Sequence, residues 1–261
     1  MQLVVDVGNT ETVGGVMDGM ELRLHWRIST EVPRTPDEYH HLLRSLLRDA
    51  EIDATSLEWA AIGSVVPAAT EVLRRTLDRL ADGRVHVIDP DSPLPVRLDV
   101  EEPRTVGPDR IVNTLAAREL YGRDTIAVDL GTATTFDLIT ADGAVMGGVI
   151  APGVSAGLEW LARRTAKLPR VEFRPPAATI GRRTETCIQS GIFYSVVDAV
   201  DGVVRRIQEE WGRPDTYVVA TGGYATVVAP HCRTVEHVEP FLTLYGLALA
   251  GKHLEGRQGS G

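Results

Sequence analysis

Cysteine is scarce in this chain. Its 261 residues include only Cys187 and Cys232, and no C-x-x-C spacing occurs. Two distant cysteines supply neither the disulfide framework of a small secreted domain nor the ligand set of a structural zinc site. The seven histidines do not supply one either, because no H-E-x-x-H pattern is present. We therefore expect a reduced, cytoplasmic protein without a zinc centre.

Clusters of basic residues and long apolar runs are also missing. The net charge of −9 and the isoelectric point near 5.3 argue against nucleic acid or an anionic membrane as a partner. No apolar run approaches the roughly 20 residues of a membrane-spanning helix. A strand pattern begins at once at Leu3, without the basic segment of a signal peptide, so we expect no leader and no membrane partner.

The common sequence motifs for phosphate binding are absent as well. Neither G-x-G-x-x-G nor G-x-x-x-x-G-K-[ST] occurs, so the Rossmann and Walker solutions do not apply. A different pattern is present and occurs twice: Val5-Asp6-Val7-Gly8-Asn9-Thr10 returns half a chain later as Val128-Asp129-Leu130-Gly131-Thr132-Ala133-Thr134. Each copy continues into a second strand that closes on Asp-Gly, a strong hairpin signal, at Asp18-Gly19 and Asp142-Gly143.

An acid beside a glycine turn at a strand end suits a phosphate and metal site. The carboxylate can hold a cation, and glycine lets backbone N–H groups approach phosphate oxygens. One such turn alone is more often an ordinary turn, but duplication of the whole unit favours a duplicated nucleotide-binding fold. The sequence therefore predicts two facing α/β half-domains with a nucleotide cleft between them.

The pattern of elements gives the predicted organisation. In each half a meander of strands is followed by helices and a buried strand, which indicates mixed sheets. Thr35, Pro36 and Glu38 predict a capping box at the start of the first helix, and a long helix is predicted over about 184–211. Residues 89–106 carry four prolines and no periodicity, and we interpret them as the link. The predicted parts are an N-terminal half over 1–106, a C-terminal half over 107–255 and a disordered tail over 256–261.

Two further segments are candidates for chemistry. Thr221-Gly222-Gly223 follows an apolar strand and opens a predicted helix, where free N–H groups can meet an anion, although a plain tight turn explains it equally well. Gly107-Pro108-Asp109-Arg110 precedes another helix. Asp109 there is either a helix N-cap or a general base, and Arg110 is either a surface charge or a bidentate partner for a carboxylate.

Taken in order, these segments resemble the type III pantothenate kinases, members of the acetate and sugar kinase/Hsp70/actin superfamily. The similar segments span nearly the whole chain: 6–10, 63–67, 107–110, 129–135, 147–153, 165–169, 180–184, 190–191 and 221–223. The resemblance implies duplicated actin-like, ribonuclease H-like half-domains. It also implies ATP-dependent phosphorylation of pantothenate to 4'-phosphopantothenate, the first step of coenzyme A biosynthesis.

The resemblance also implies roles for single residues. Asp109 is the catalytic base, and Gly107, Pro108, Asp109 and Arg110 bind pantothenate. Asp6 holds Mg²⁺ and, with Gly8, Asn9 and Thr10, handles the phosphates of ATP. Asp129 coordinates a monovalent cation, K⁺ or NH₄⁺. Thr132, Gly222 and Gly223 contact ATP, and Thr184 reaches pantothenate from the partner subunit of a homodimer with the active site at its interface.

Some positions depart from the family pattern. Pro108 stands where the family most often has Ala, and Glu102 where Asn usually precedes Pro103. No aromatic residue occurs at 98–100, and Ser195 and Tyr245 replace a frequent Gly and Glu. Two alternatives therefore stay open: a kinase for another small hydroxyl compound, and a catalytically silent, nucleotide-binding regulatory protein.

Overall fold

A computed structural model describes residues 1–165 and 167–258. The chain folds into two compact units. Unit 1 comprises residues 1–120, 143–145 and 242–261, and unit 2 comprises residues 121–142 and 146–241. Each unit has an α/β architecture built on its own mixed sheet.

Unit 1 contains a five-stranded sheet in the order β3-β2-β1-β4-β5. Strand β1 lies at its centre, antiparallel to β2 on one side and parallel to β4 on the other. The predicted meander and the two later strands are present: β1 (Gln2–Val7), β2 (Glu11–Asp18), β3 (Glu21–Ser29), β4 (Trp59–Ser64) and β5 (Val85–Ile88). A short strand, β6 (Arg97–Leu98), pairs in parallel with Ala144 and Val145.

The first helix, α1 (Pro36–Asp49), begins where its sequence predicts. The Thr35 hydroxyl accepts a hydrogen bond from the backbone N–H of Glu38, and the Glu38 carboxylate accepts one from the backbone N–H of Thr35. This reciprocal capping box satisfies donors that the helix leaves without partners. One face of α1 is buried in the unit 1 core through Tyr39, Leu43 and Leu47.

Three more helices complete unit 1, and two of them pack closely on each other. They are α2 (Pro67–Leu80), α3 (Pro108–Tyr121) and α7 (Leu242–Gln258). The Thr243 hydroxyl on α7 lies 3.0 Å from the amide oxygen of Asn113 on α3. Gly246 of α7 lies so close to α3 that a Cβ atom there would overlap the carbonyl oxygen of Val112.

This packing bears on how the chain divides into compact units. The predicted division at 106/107 assigns α3 and α7 to the second half. The compact units divide after Leu120, with α7 in unit 1. The physical reason is the contact of α3 with α7, which also packs on β1 and β4. The predicted disordered tail is also shortened, because α7 continues to Gln258; residues 259–261 lie outside the described residues.

Unit 2 repeats the topology of unit 1. Its strands follow the order β11-β10-β7-β8-β9, so β7 takes the place of β1, with an antiparallel partner on one side and a parallel partner on the other. The strands are β7 (Thr125–Leu130), β8 (Ala133–Ile139), β9 (Ala144–Pro152), β10 (Tyr217–Thr221) and β11 (His237–Val238). The duplicated phrase therefore marks a duplicated fold.

The helices of unit 2 include one that the sequence did not predict, α4 (Val154–Arg164). The Pro152-Gly153 break that ends β9 leads directly into it. The long predicted helix is present as α5 (Thr184–Trp211), and α6 (Ala225–Val228) is a single turn. By length and composition alone α5 is long and apolar enough to cross a membrane, and its buried side chains, such as Phe193 and Val204, belong to the unit 2 core.

Candidate active site

The first acid–glycine turn lies at the carboxyl end of β1. Asp6 is paired in register with Val13 on β2 and with Gly63 on β4. The turn is closed by a hydrogen bond of 3.0 Å from the backbone N–H of Gly8 to the carbonyl oxygen of Glu11. Asn9 and Thr10 are exposed on it. The predicted phosphate-handling residues therefore form one turn on the central strand of unit 1.

The start of α3 lies at the same end of this sheet. A Cβ atom built on Gly63, the register partner of Asp6, would lie 3.5 Å from Cβ of Pro108. One built on Gly107 would lie 3.6 Å from Cγ1 of Val65, just beyond β4. Residues 107–110, far from Asp6 in sequence, are thus brought to the strand ends that carry the first turn.

Asp109 occupies the second position of α3, after Pro108. Its Oδ1 atom is buried and has no hydrogen-bond partner within residues 1–165 and 167–258. Gly107 makes room for this atom, because a Cβ atom at position 107 would overlap Oδ1 of Asp109. A buried carboxylate oxygen without a partner costs free energy, and a catalytic role is one of the explanations for such a group in a native protein.

The environment of Asp109 changes its protonation. Burial raises the pKa of the Asp109 carboxyl above its ordinary value of 3.8, and the backbone N–H and the guanidinium of Arg110 oppose that rise only in part. A raised pKa makes the carboxylate a stronger proton acceptor, which is what a general base requires. A helix cap does not need to be buried. The general-base interpretation therefore accounts for the burial of Asp109, whereas the helix-cap interpretation does not.

The second acid–glycine turn has the same position in unit 2. Asp129 on β7 is in register with Thr135 on β8 and with Thr221 on β10. The turn is closed by a hydrogen bond of 3.0 Å from the N–H of Gly131 to the carbonyl oxygen of Ala133. A Cβ atom on Gly131 would lie 3.3 Å from Oδ1 of Asp129, so the carboxylate faces the turn closely.

Gly222 lies against the same carboxylate. Its φ of +89° is in the left-handed region that glycine tolerates best. A Cβ atom there would overlap Oδ1 of Asp129 and lie 2.8 Å from the backbone nitrogen of Leu130. The sequence suggested that Gly222 and Gly223 open a helix whose N–H groups meet an anion. Because α6 is a single turn, the closer physical reason for glycine at 222 is its contact with Asp129.

The remaining predicted residues are exposed. Thr132 lies at the tip of the β7–β8 turn, and Gly223 follows Gly222 in the β10 turn. Thr184 is the first residue of α5, where the Thr186 hydroxyl accepts hydrogen bonds of 3.1 Å from the N–H groups of Arg182 and Arg183. One end of unit 1 carries the predicted residues Asp6, Gly8, Asn9 and Thr10 together with residues 107–110. Unit 2 brings together the predicted residues Asp129, Thr132 and Gly222.

The described part of the chain contains no preformed metal-binding cluster. Within residues 1–165 and 167–258, no group of three His, Cys, Asp or Glu side chains is arranged to hold a metal ion. Mg²⁺ is usually bound through one or two carboxylates together with substrate phosphates. Asp6, beside a glycine turn, could serve as one such carboxylate.

Comparison with solved structures defines the class of fold. A ROK family glucokinase from Streptomyces griseus, solved in complex with glucose and AMPPNP, has a TM-score of 0.54 with 97% of this chain and 98% of that chain covered. The sequence identity of 12% limits this likeness to the fold. Together with the duplicated topology, it identifies the chain as an α/β protein of the actin-like sugar-kinase fold.

Sequence comparison then gives the family. The family model described as type III pantothenate kinase matches residues 2–206. Type III pantothenate kinases from Exiguobacterium sibiricum and Moorella thermoacetica are 45% and 42% identical to the chain over 249 residues, covering 95% of it and 98% of each relative. The chain belongs to the type III pantothenate kinase family, and the resemblance inferred from its motifs is confirmed.

Replacing Gly222 by Ala tests the contact with Asp129. We expect kcat to fall by about tenfold or more, because the new methyl group displaces the carboxylate and small misplacements in a site are costly. The matched control is Gly212→Ala, at a glycine with φ +67° and no described atom within 4 Å of the new Cβ atom. Both variants carry the backbone strain of about 1 kcal/mol, and only Gly222→Ala should lose activity. Equal kcat in the two variants would contradict the steric explanation.

Proposed function

We propose that this protein transfers the γ-phosphate of ATP to the primary hydroxyl of pantothenate and so forms 4'-phosphopantothenate, the first step toward coenzyme A. The observation that carries the proposal is the buried Asp109 carboxylate in the segment 107–110. Its pKa is raised, and one of its oxygens has no partner among the residues that the structure describes. Membership of the type III pantothenate kinase family supports the same substrate.

The reaction is an in-line displacement at phosphorus. The hydroxyl oxygen of pantothenate bonds to the γ-phosphorus while the bond from that phosphorus to the β,γ-bridging oxygen breaks, and ADP leaves. Asp109 accepts the hydroxyl proton, which the raised pKa favours. Arg110, the next residue, is proposed to hold the pantothenate carboxylate, since a guanidinium binds a carboxylate through two parallel hydrogen bonds. Gly107 and Pro108 form the backbone that approaches the substrate.

The phosphates are assigned to the two turns. We assign Asp6 to Mg²⁺ and Gly8, Asn9 and Thr10 to the phosphate oxygens, whose charge Mg²⁺ neutralises when bound. Thr132, Gly222 and Gly223 are assigned to ATP, and Asp129 to a monovalent cation, K⁺ or NH₄⁺. The support is the equivalent position of the two turns on the central strands, β1 and β7.

A homodimer completes the proposed site. Thr184 is proposed to contact pantothenate in the partner subunit, and its exposure at the start of α5 is compatible with that role. Large apolar side chains of unit 2 are also exposed, including Ile180 at 82% and Trp160 at 61%. Exposed apolar surface of this kind is typical of an interface. The acidic composition and the family's biosynthetic role support a cytoplasmic location without nucleic-acid or membrane partners.

A phosphorylation screen tests the proposed substrate. With ATP, Mg²⁺ and K⁺ supplied, we expect transfer to pantothenate and no comparable transfer to related small hydroxyl compounds. Glu102 makes the screen informative, because its exposed side chain adds a negative charge shortly before the segment proposed to bind a carboxylate. Transfer to another compound at a higher kcat/KM would establish the alternative kinase. ATP binding with no transfer to any compound would establish the regulatory alternative.

Replacing Asp109 by Asn separates the base from the helix cap. We expect kcat to fall roughly 10²–10⁴-fold, the usual contribution of a general base, with ATP affinity retained. The melting temperature should stay the same or rise at neutral pH, because burial disfavours the charged carboxylate that Asn removes. In the unchanged protein, kcat/KM should fall on the acid side at a pH above 3.8, because a base with a raised pKa is protonated there.

Asp37→Asn is the matched control for Asp109→Asn. Asp37 is also the second residue of a helix that begins with proline, but its side chain is 85% exposed and is paired with Arg79 at 2.7 Å. Activity should not change in this variant. A near-normal kcat in a well-folded Asp109→Asn variant would assign Asp109 to capping or binding, and Asp6 would become the next candidate for the base.

Removing K⁺ tests the role of Asp129. In Na⁺ or a bulky organic cation at equal ionic strength, we expect activity to fall sharply, because a smaller or larger cation fits a K⁺ site poorly. Asp129→Asn should be slow even when K⁺ is present. Steady-state assays across the cation series measure both effects, with Asp18→Asn, in the exposed turn of the first hairpin, as the control. Activity indifferent to K⁺ would leave Asp129 as a Mg²⁺ or structural residue.

A further inference from the structure

Gly153 lies directly against the turn between β7 and β8. It is the residue between β9 and α4 and the N-cap of that helix. A Cβ atom at Gly153 would overlap the carbonyl oxygen and carbonyl carbon of Thr132 and lie 2.7 Å from the carbonyl oxygen of Gly131. All three atoms belong to the backbone, so no change of side-chain rotamer could relieve the overlap.

The need for glycine here is steric rather than conformational. The backbone of Gly153 has φ −71° and ψ 170°, a combination that any residue adopts without strain. This distinguishes Gly153 from Gly222, whose φ is positive. The close approach of the turn therefore explains the absence of a side chain at this position, whereas backbone strain does not.

The start of α4 cannot easily move away from the turn. Val154, the next residue, is 1% exposed and belongs to the same buried cluster as Leu130 and Phe136, which lie on the strands that flank the turn. The N–H of Ala156 also donates to the carbonyl oxygen of Gly153 at 3.1 Å. Since close-packed interiors transmit displacement rather than absorb it, a side chain at 153 would displace residues 131–132.

We propose that Gly153 is a positioning residue that sets the place of the Gly131–Thr132 turn and, through it, the affinity for ATP. The proposal rests on the proposed function in one respect, the assignment of Thr132 to ATP. Gly153 touches no reacting atom in this assignment. It acts by holding the backbone of the turn, close to the Asp129 carboxylate, in one position.

The test is Gly153→Ala, compared with two glycine-to-alanine controls. Gly157→Ala lies on the same helix, where the new Cβ atom would meet only the flexible end of Ile192, at 2.9 Å, among the described residues. Gly191→Ala lies on α5, with no described atom within 4 Å. Calorimetric titration of each variant with ATP and with pantothenate gives both affinities, and steady-state kinetics gives the two KM values. We expect Gly153→Ala to weaken ATP binding by about tenfold or more, with pantothenate binding within about twofold, and both controls unchanged.

Other outcomes decide against the proposal. ATP affinity within about twofold of the unchanged protein in a folded Gly153→Ala variant would overturn it. Equal weakening of both substrates together with a lower melting temperature would also overturn it, because that is general loss of structure. ATP titration remains informative if the unchanged protein fails to phosphorylate pantothenate, so the two failures are distinguishable.

Val154→Ala keeps the test decisive if Gly153→Ala does not fold. This variant keeps Gly153 and shortens the buried side chain of Val154, which fixes the start of α4 in the core. We expect a smaller, selective loss of ATP affinity and faster hydrogen exchange of the Gly131 amide, which donates to Ala133 across the turn. Unchanged ATP affinity and unchanged exchange at Gly131 would overturn the proposal.

Discussion

The pairing of each central strand is the constraint on which the rest of the structure depends. Strands β1 and β7 each have an antiparallel hairpin partner on one side and a parallel partner on the other. A slip of one residue in this register would move every side chain of the strand to the opposite face of the sheet, so the register decides which residues meet across the strands. Register therefore places Asp6 opposite Gly63 and Asp129 opposite Thr221, in both cases at the carboxyl end of the central strand.

Under the proposed role of Asp109, function and stability oppose each other in unit 1, because the carboxylate is buried. The carboxylate is desolvated and its Oδ1 atom lacks a partner in the described part of the chain, although the positive charge of Arg110 is adjacent in sequence. A surface position such as that of Asp37 would avoid this cost, and α1 demonstrates that a proline-initiated helix places an acid there without burial. Close to Asp109, α3 is fixed where Val112 and Asn113 contact Gly246 and Thr243 of α7.

Glycine serves two distinct purposes around the turns. At Gly222 a positive φ and a close approach to Asp129 act together, whereas at Gly107 and Gly153 the backbone is close to another group and only the missing side chain matters. Gly212 and Gly191, by contrast, have open space around them as far as the structure describes the chain. A glycine in the sequence therefore does not reveal its purpose, since the neighbour that would collide with a Cβ atom at 153 or 222 is distant along the chain.

The local sequence determined many of the helices, strands and turns of this protein. Alternation and capping signals predicted the two meanders, the capping box of α1, the long helix α5 and the duplication of the fold, because strand period, turn chemistry and helix caps depend on near neighbours. The ordered motifs were sufficient for the family. Sequence alone did not give α4, the place of α7 in unit 1, or the reason for glycine at 153 and 222. These features depend on contacts between residues far apart in the chain, which local periodicity does not encode and only the packed tertiary structure decides.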